Sequence, residues 1–201
     1  MISVGGYDLK LISAMLASLI AVVGAFFPYL RDIFRKKTKP HAYTWLIWVI
    51  TQGTATTALW YGRGGWALLT MIIGTFFVFL IFLLSLKYGT RNITKGDTVV
   101  LTLALLAIVI WWQLNNPVLA VILVSAIDVA GYLPSFRKVF YEPWSETMMS
   151  WAVFSLANIF NILSLSAYNF FTLTYLISIT AANLILLAIG LTRRKTVLKP
   201  V

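Results

Sequence analysis

The sequence contains no cysteine and a single histidine, His41, among its 201 residues. Without cysteine there can be no disulfide, no thiolate ligand to haem and no zinc-cysteine site. The apolar segments also carry no Ser/His/Asp set, no metal-binding cluster and no phosphate-binding loop. We therefore expect a protein that is not an enzyme, with no catalytic residues, no metal and no cofactor.

Charge is equally scarce, because only 11% of the residues are charged whereas 60% are hydrophobic. The mean hydropathy is +0.88, and a soluble domain of this size has too little interior to bury so much apolar surface. Apolar runs of about 20 residues predict membrane-spanning helices and not barrel strands. The net charge of +10 does not indicate nucleic acid, because the basic residues form short clusters between apolar runs.

Seven apolar segments are long enough to be transmembrane helices: 9–30, 43–61, 66–86, 98–114, 117–136, 148–168 and 171–191. Of the 16 Lys and Arg residues, 14 fall on one side of such a bundle and only Lys10 and Arg63 on the other. Cytoplasmic loops carry the excess of basic residues. We therefore expect an integral protein of the cell (inner) membrane with its amino terminus outside and its carboxyl terminus in the cytoplasm.

Two stretches of the chain share the spacing of their key residues. Segment 26–48 reads FFPYLRDIFRKKTKPHAYTWLIW, and segment 132–154, which begins 106 positions later, reads YLPSFRKVFYEPWSETMMSWAVF. Without any gap, the alignment pairs a proline, an arginine, a tryptophan and an amide in each copy: Pro28 with Pro134, Arg31 with Arg137, Trp45 with Trp151 and Gln52 with Asn158. Such spacing predicts an internal repeat.

The repeat predicts how the spans are organised. The offset maps the first three helices, residues 9–87, onto the last three, residues 116–192, and leaves a linker helix, residues 97–114. Two copies of three helices would insert in opposite senses, so the linker helix acts as an inversion linker that makes them parallel. We expect an all-α membrane protein with seven transmembrane helices, built as two parallel triple-helix bundles in a 3+1+3 plan.

With this plan, the chain resembles the SWEET, SemiSWEET and PQ-loop superfamily of membrane transporters over about residues 9–191. The resemblance implies a cavity between the two bundles and transport by alternating access. A PQ-loop unit has glutamine after the proline of its first helix. Here Pro28 is followed by Tyr29, and Pro134 by Ser135.

Pro28 and Pro134 are candidate hinges. Each lacks an amide donor and clashes with the carbonyl group four residues earlier, at Gly24 and Ala130 respectively, so both helices should bend there. The resemblance implies that these bends act as a gate on the cytoplasmic side. A static kink is the alternative.

Four polar residues lie near the centres of apolar segments, and Asn161 lies one turn from one of them on the same face. The candidate substrate-binding set is therefore Gln52, Asn158, Asn161, Asn183 and Asp128. An unpartnered polar group in hydrocarbon costs roughly a few kcal/mol, so these side chains should face a cavity or one another. Amides both donate and accept hydrogen bonds, which suits a neutral, hydroxyl-rich solute. Interhelical hydrogen bonds that hold the bundle together are the alternative.

Asp128 is the only acidic residue within an apolar segment, and its counterpart in the first repeat is Val22. A charged carboxylate at the bilayer centre costs roughly 2.5–3.5 kcal/mol on insertion scales. We therefore expect Asp128 to be either protonated or hydrogen-bonded in the cavity. The protonated form would suit proton coupling.

These observations lead to three functional hypotheses. The first is a transporter of a small neutral solute, with a sugar as the first expectation. The second is a carrier of an amino acid or a vitamin, with or without proton coupling, and the third is a non-transporting membrane receptor on the same fold. The expected partners are a small-molecule solute and membrane lipid, with no nucleic acid. A monomer contains both halves of a pathway and suffices, although the resemblance also allows homo-oligomers.

Overall fold

Helices form most of the protein in the computed structural model, which describes residues 3–4, 7–61, 66–113, 117–165, 168 and 170–199. Seven helices are present in this described part: α1 (Leu9–Phe34), α2 (Ala42–Tyr61), α3 (Trp66–Tyr88), α4 (Lys95–Trp112), α5 (Pro117–Tyr141), α6 (Met148–Leu163) and α7 (Phe170–Arg193). A short antiparallel pair, β1 (Ser3–Val4) and β2 (Tyr7–Asp8), precedes them. A 3-10 turn, Pro143–Ser145, precedes α6.

Three of the helical segments are long and apolar enough to cross a membrane: Leu9–Phe34, Leu68–Tyr88 and Leu173–Arg193. Large apolar side chains also point away from the protein on several helices, among them Phe76, Leu103, Val109 and Ile177, each more than half exposed. Water would penalise so much exposed apolar surface, whereas lipid does not. These features indicate a helical membrane protein.

Several helix boundaries differ from the sequence-based expectation, and local capping accounts for two of them. Helix α4 begins at Lys95 because Thr94 and Asp97 cap each other. The Thr94 amide donates to Oδ2 of Asp97 at 2.8 Å, and the Asp97 amide donates to Oγ1 of Thr94 at 3.3 Å. The predicted segment 148–168 is too long, because α6 ends at Leu163 and is capped by Ser164.

The two matched prolines accompany different backbone geometries. In α1 the segment Ile20–Phe26, just before Pro28, is π-helical, a departure that often accompanies a local distortion of a helix. Pro134 instead lies inside an uninterrupted α-helix, α5. The predicted hinge function of the two prolines stays a prediction.

Six of the seven helices form a closed ring. In each half of the chain the third helix packs against the first and second, so that α3 lies between α1 and α2, and α7 lies between α5 and α6. The halves meet through α1 against α6 and α2 against α5, while α4 packs outside the ring against α5 and α2.

The two contacts between the halves are close. A Cβ atom at Gly24 of α1 would lie 2.8 Å from Cγ1 of Val153 in α6, and one at Gly131 of α5 would lie 3.0 Å from Nε1 of Trp48 in α2. Glycine at these positions therefore lets the backbones approach where the ring closes.

Candidate functional site

A cavity occupies the centre of the six-helix ring, where all six helices supply lining residues. Water-sized molecules can occupy about 120 Å³ of it, and part of the space is continuous with the outside. This volume is below the range that is usual for drug-sized ligands, about 300–1,000 Å³. The ring therefore encloses a small space, which suits a small solute.

The structure brings all five residues of the predicted binding set to this cavity: Gln52, Asp128, Asn158, Asn161 and Asn183. Among the described residues, the side-chain amides of Gln52, Asn158 and Asn161 have no hydrogen-bond partner. Three amides are thus available to a bound molecule. The role of the set in binding remains a prediction.

Aromatic contacts across the ring repeat at equivalent positions. The rings of Phe26 and Phe154 are 4.7 Å apart at an angle of 70°, and those of Tyr132 and Trp48 are 4.5 Å apart at 58°. Residues 26 and 132, and likewise 48 and 154, are separated by the same 106 positions as the matched prolines. The contact between α1 and α6 therefore has a counterpart between α5 and α2.

A cluster of four aromatic side chains closes one end of the cavity. Tyr29, Trp45, Trp48 and Trp151 are each less than 5% exposed. Their ring centroids lie 5.0–6.1 Å apart between neighbours. The tryptophans precede Gln52 and Asn158 in their helices by at least one turn. The cluster therefore lies nearer than these amides to the ends at which α2 and α6 begin. We call the end of the ring beyond it the basic end, defined by segments 35–41, 89–94, 142–147 and 194–199.

One wall of the cavity carries a chain of polar contacts. Thr51 of α2 donates to Oδ1 of Asp128 at 2.5 Å, and Nε1 of Trp48 donates to the Asp128 carbonyl at 3.2 Å. One helical turn further along α5, the Tyr132 hydroxyl donates to Oδ1 of Asn183 at 2.6 Å. Asp128 is therefore hydrogen-bonded beside the cavity, as one of the two expectations stated. Its role in proton coupling stays a prediction.

Next to the aromatic cluster, a buried ion pair of the second half is hydrogen-bonded to the first half. Lys138 of α5 and Glu146 have side chains that are 0% and 1% exposed, and they are in direct contact. Glu146 also accepts from the Tyr29 hydroxyl at 3.2 Å and from Nε1 of Trp151 at 3.1 Å. Lys138 donates in addition to the Lys39 carbonyl at 2.6 Å. The pair is thus fully hydrogen-bonded, as a buried charge must be.

Hydrogen bonds join the loops at the basic end to each other, close to this ion pair. The Lys39 amide donates to the Ser145 carbonyl at 3.0 Å. The hydroxyl oxygens of Thr38 and Thr147 are 2.5 Å apart, and Thr147 also donates to Oδ2 of Asp32 at 3.0 Å. These bonds connect the loop after α1 to the loop before α6, so the basic end of the cavity is closed.

A second charged cluster links α4 to both halves. Arg137 donates from Nε and Nη2 to the two carboxyl oxygens of Asp97, at 3.0 and 2.6 Å, and its other contacts are to Asn92. Nε2 of His41 lies 3.5 Å from Oδ2 of Asp97, and His41 is fully buried. Burial lowers the pKa of His41 to about 4, and the nearby charge of Lys138 adds to this, whereas Asp97 opposes it.

Acidification is expected to destabilise the protein through His41. Its pKa falls from 6.5 to about 4 on folding, so the unfolded chain takes up the proton first as the pH drops. The contribution of neutral His41 to the free energy of unfolding is therefore fully present above pH 6.5 and is lost as the pH falls towards 4. At about 1.4 kcal/mol per pKa unit, the loss reaches roughly 3 kcal/mol. Unfolding in detergent at pH 7.5 and pH 4.5 measures the loss. In His41→Gln it should be clearly smaller, and an equal loss in both proteins would contradict the assignment.

Sequence reasoning missed several residues of this region. The charge count treats Lys138 as a topology-determining residue, although it is buried against Glu146. No sequence pattern singles out Tyr132, Tyr175 or Thr51, yet the two tyrosines line the cavity and Thr51 donates to Asp128. The one available signal is Glu146, which follows Lys138 by a few residues, but no spacing rule for loops pairs two such residues.

Comparison with protein-family models, with curated proteins and with solved structures finds no match. The resemblance to the SWEET, SemiSWEET and PQ-loop superfamily therefore depends on the sequence motifs and stays a prediction. At this point the molecule is defined as a helical membrane protein with a polar, aromatic-lined cavity at the centre of a six-helix ring.

Proposed function

We propose that the protein is a membrane carrier that moves a small neutral solute through the central cavity by alternating access. The single observation that carries this proposal is that three amides without a hydrogen-bond partner among the described residues, Gln52, Asn158 and Asn161, line a cavity enclosed by six helices. Unsatisfied polar groups are costly inside a membrane protein. A solute that exchanges its hydration shell for these amides accounts for their presence.

The arrangement of the ring supports a 3+1+3 carrier with seven spans. The helix neighbours in the first half are the same as those in the second, and the contacts between the halves occur in equivalent pairs. The equivalent ring pairs, Phe26 with Phe154 and Tyr132 with Trp48, agree with an ungapped repeat. Two parallel repeats can rock against each other around a site on their common axis.

The bonds that close the basic end support the same mechanism. The basic end, which the excess of Lys and Arg assigns to the cytoplasm, is closed by bonds that cross between the halves, including Tyr29 to Glu146 and Lys138 to Lys39. Once those two bonds break, Lys138 and Glu146 still neutralise each other within the second half. Opening at this end therefore leaves no unpaired buried charge, which keeps its energetic cost low.

Uptake by proteoliposomes containing the purified protein tests the proposal, with radiolabelled sugars, amino acids and vitamins offered at two pH values. We expect saturable uptake of at least one neutral solute. Gln52→Leu and Asn158→Leu should each lower that uptake about tenfold, since a lost hydrogen bond to a solute costs roughly 1.4 kcal/mol. The thermal stability of both variants should be unchanged or higher, because an unpartnered amide is replaced by an apolar group.

Gln113→Leu is the matched control, because this exposed amide lies in the turn directly after α4, which packs outside the ring. It should transport like the wild type. Absence of uptake for every solute class, together with specific binding of a protein to segment 31–41, would overturn the carrier and favour the receptor hypothesis.

A further inference from the structure

The two halves of the cavity differ at equivalent positions. In the first half, Phe26 stacks on Phe77, with centroids 4.8 Å apart and planes at 14°. The residues 106 positions later are Tyr132 and Asn183, and these form a hydrogen bond instead. The wall formed by α1 and α3 is therefore apolar where the wall formed by α5 and α7 is polar.

The two walls face each other across the cavity. In the order of neighbours around the ring, α1 and α3 are separated from α5 and α7 by α2 on one side and α6 on the other. The residues that α1 and α3 contribute are apolar except for one threonine: Ala21, Phe26, Thr70, Met71, Ile73, Gly74 and Val78. That threonine accepts a hydrogen bond from Ser18 at 3.2 Å. A solute between the walls thus meets hydrogen-bonding groups on one edge and an apolar surface on the other.

The hydrogen bond from Tyr132 determines what Asn183 offers to a solute. Because the Asn183 oxygen accepts from the Tyr132 hydroxyl at 2.6 Å, the amide NH2 group is left, and it has no partner among the described residues. Oδ1 of Asp128 is likewise taken by Thr51, so its second carboxyl oxygen is left. Asp128 and Tyr132 are four residues apart on one helix face. The wall therefore presents a donor and an acceptor close together.

We propose that Tyr132 is a specificity-determining positioning residue, which orients Asn183 so that the cavity selects a planar ring solute with a hydrogen-bond acceptor beside a donor on one edge, as in a carboxamide. The inference rests on the proposed function, since it treats the cavity as the carrier's solute site. The planar face packs against the side of Phe26 and Phe154. A sugar fits the apolar wall of α1 and α3 less well, because hydroxyl groups directed at that wall would lose water and gain no hydrogen-bond partner.

Two probes of nearly the same shape test the inference. Benzamide carries an acceptor and a donor on its side group, whereas acetophenone has a methyl group in place of the amine. Equilibrium dialysis with radiolabelled benzamide, and competition by acetophenone or glucose, gives the affinity ratios in detergent. The wild type should bind benzamide about tenfold or more tightly than acetophenone, the effect of one hydrogen bond to a buried charged or polar group.

In Tyr132→Phe the affinity for benzamide should fall about threefold or more, because the ring still packs on Trp48 while the Asn183 amide is free to turn its NH2 group away from the solute carbonyl. Tyr141→Phe, which removes an exposed hydroxyl of α5 that does not line the cavity, is the matched control and should bind benzamide like the wild type. Asn183→Asp replaces the donor by an acceptor at the same position, and should weaken benzamide binding about tenfold. It provides the second test if Tyr132→Phe does not yield a folded, monodisperse protein.

The outcomes separate the inference from the proposed function. An unchanged affinity for benzamide in Tyr132→Phe, or binding of glucose with no binding of benzamide, overturns the inference and leaves a carrier in place. No binding of any probe also overturns it. Selective binding of benzamide that depends on Tyr132, without uptake of benzamide into proteoliposomes, supports the inference and contradicts the carrier.

Discussion

Replacing Glu146 by alanine is expected to lower the stability of the protein by roughly 3–5 kcal/mol, the cost of breaking a buried ion pair by removing one partner. Lys138 has a side chain that is 0% exposed, so its ammonium group would keep only the carbonyls of Lys39 and Ser145 as partners. The Tyr29 hydroxyl and the Trp151 indole nitrogen would lose their acceptor as well. Thermal unfolding in detergent, followed by tryptophan fluorescence, measures the effect.

Two variants show whether charge or shape is responsible. Glu142→Ala removes a partly exposed carboxylate of the same loop, which bonds Asn92 at 2.9 Å, and should cost much less. The double variant Glu146→Leu with Lys138→Met should recover most of the lost stability, because apolar residues can replace a buried ion pair at little cost. Equal melting temperatures for Glu146→Ala and the wild type would show that the pair does not stabilise the closed end.

A disulfide between residues 38 and 147 is expected to abolish transport reversibly. The hydroxyl oxygens of Thr38 and Thr147 are 2.5 Å apart, close enough for cysteines at these positions to bond. The bond would hold the loop after α1 to the loop before α6 and keep the basic end closed. Since the chain has no cysteine of its own, Thr38→Cys with Thr147→Cys forms only this bridge.

Uptake into proteoliposomes should fall to background after oxidation and return after reduction with dithiothreitol. Each single cysteine variant is a control, and both should transport with and without oxidant. Mass spectrometry of the alkylated protein gives the fraction cross-linked. Complete cross-linking with undiminished uptake would mean that the basic end need not open, and alternating access would be contradicted.

The candidate site was predictable in part. Gln52, Asn158, Asn161 and Asn183 could be placed on a cavity from the sequence because uncompensated amides are disfavoured in lipid, and the structure brings them to one cavity. Helix α6 was predicted too long because the apolar composition continues beyond Leu163, where Ser164 caps the helix. Composition detects apolar residues, but the end of a helix depends on local capping bonds.

The sequence by itself determined that this is a helical membrane protein, and which polar residues its apolar segments hold, because hydropathy and residue spacing are properties of the chain alone. Only the tertiary structure decided that Lys138 is buried against Glu146, and that Tyr132 donates to Asn183 while Phe26 stacks on Phe77. The two partners in the Tyr132 bond are 51 residues apart, and those in the bond from Tyr29 to Glu146 are 117 apart. Such contacts depend on how helices pack, and no local pattern along the chain encodes them.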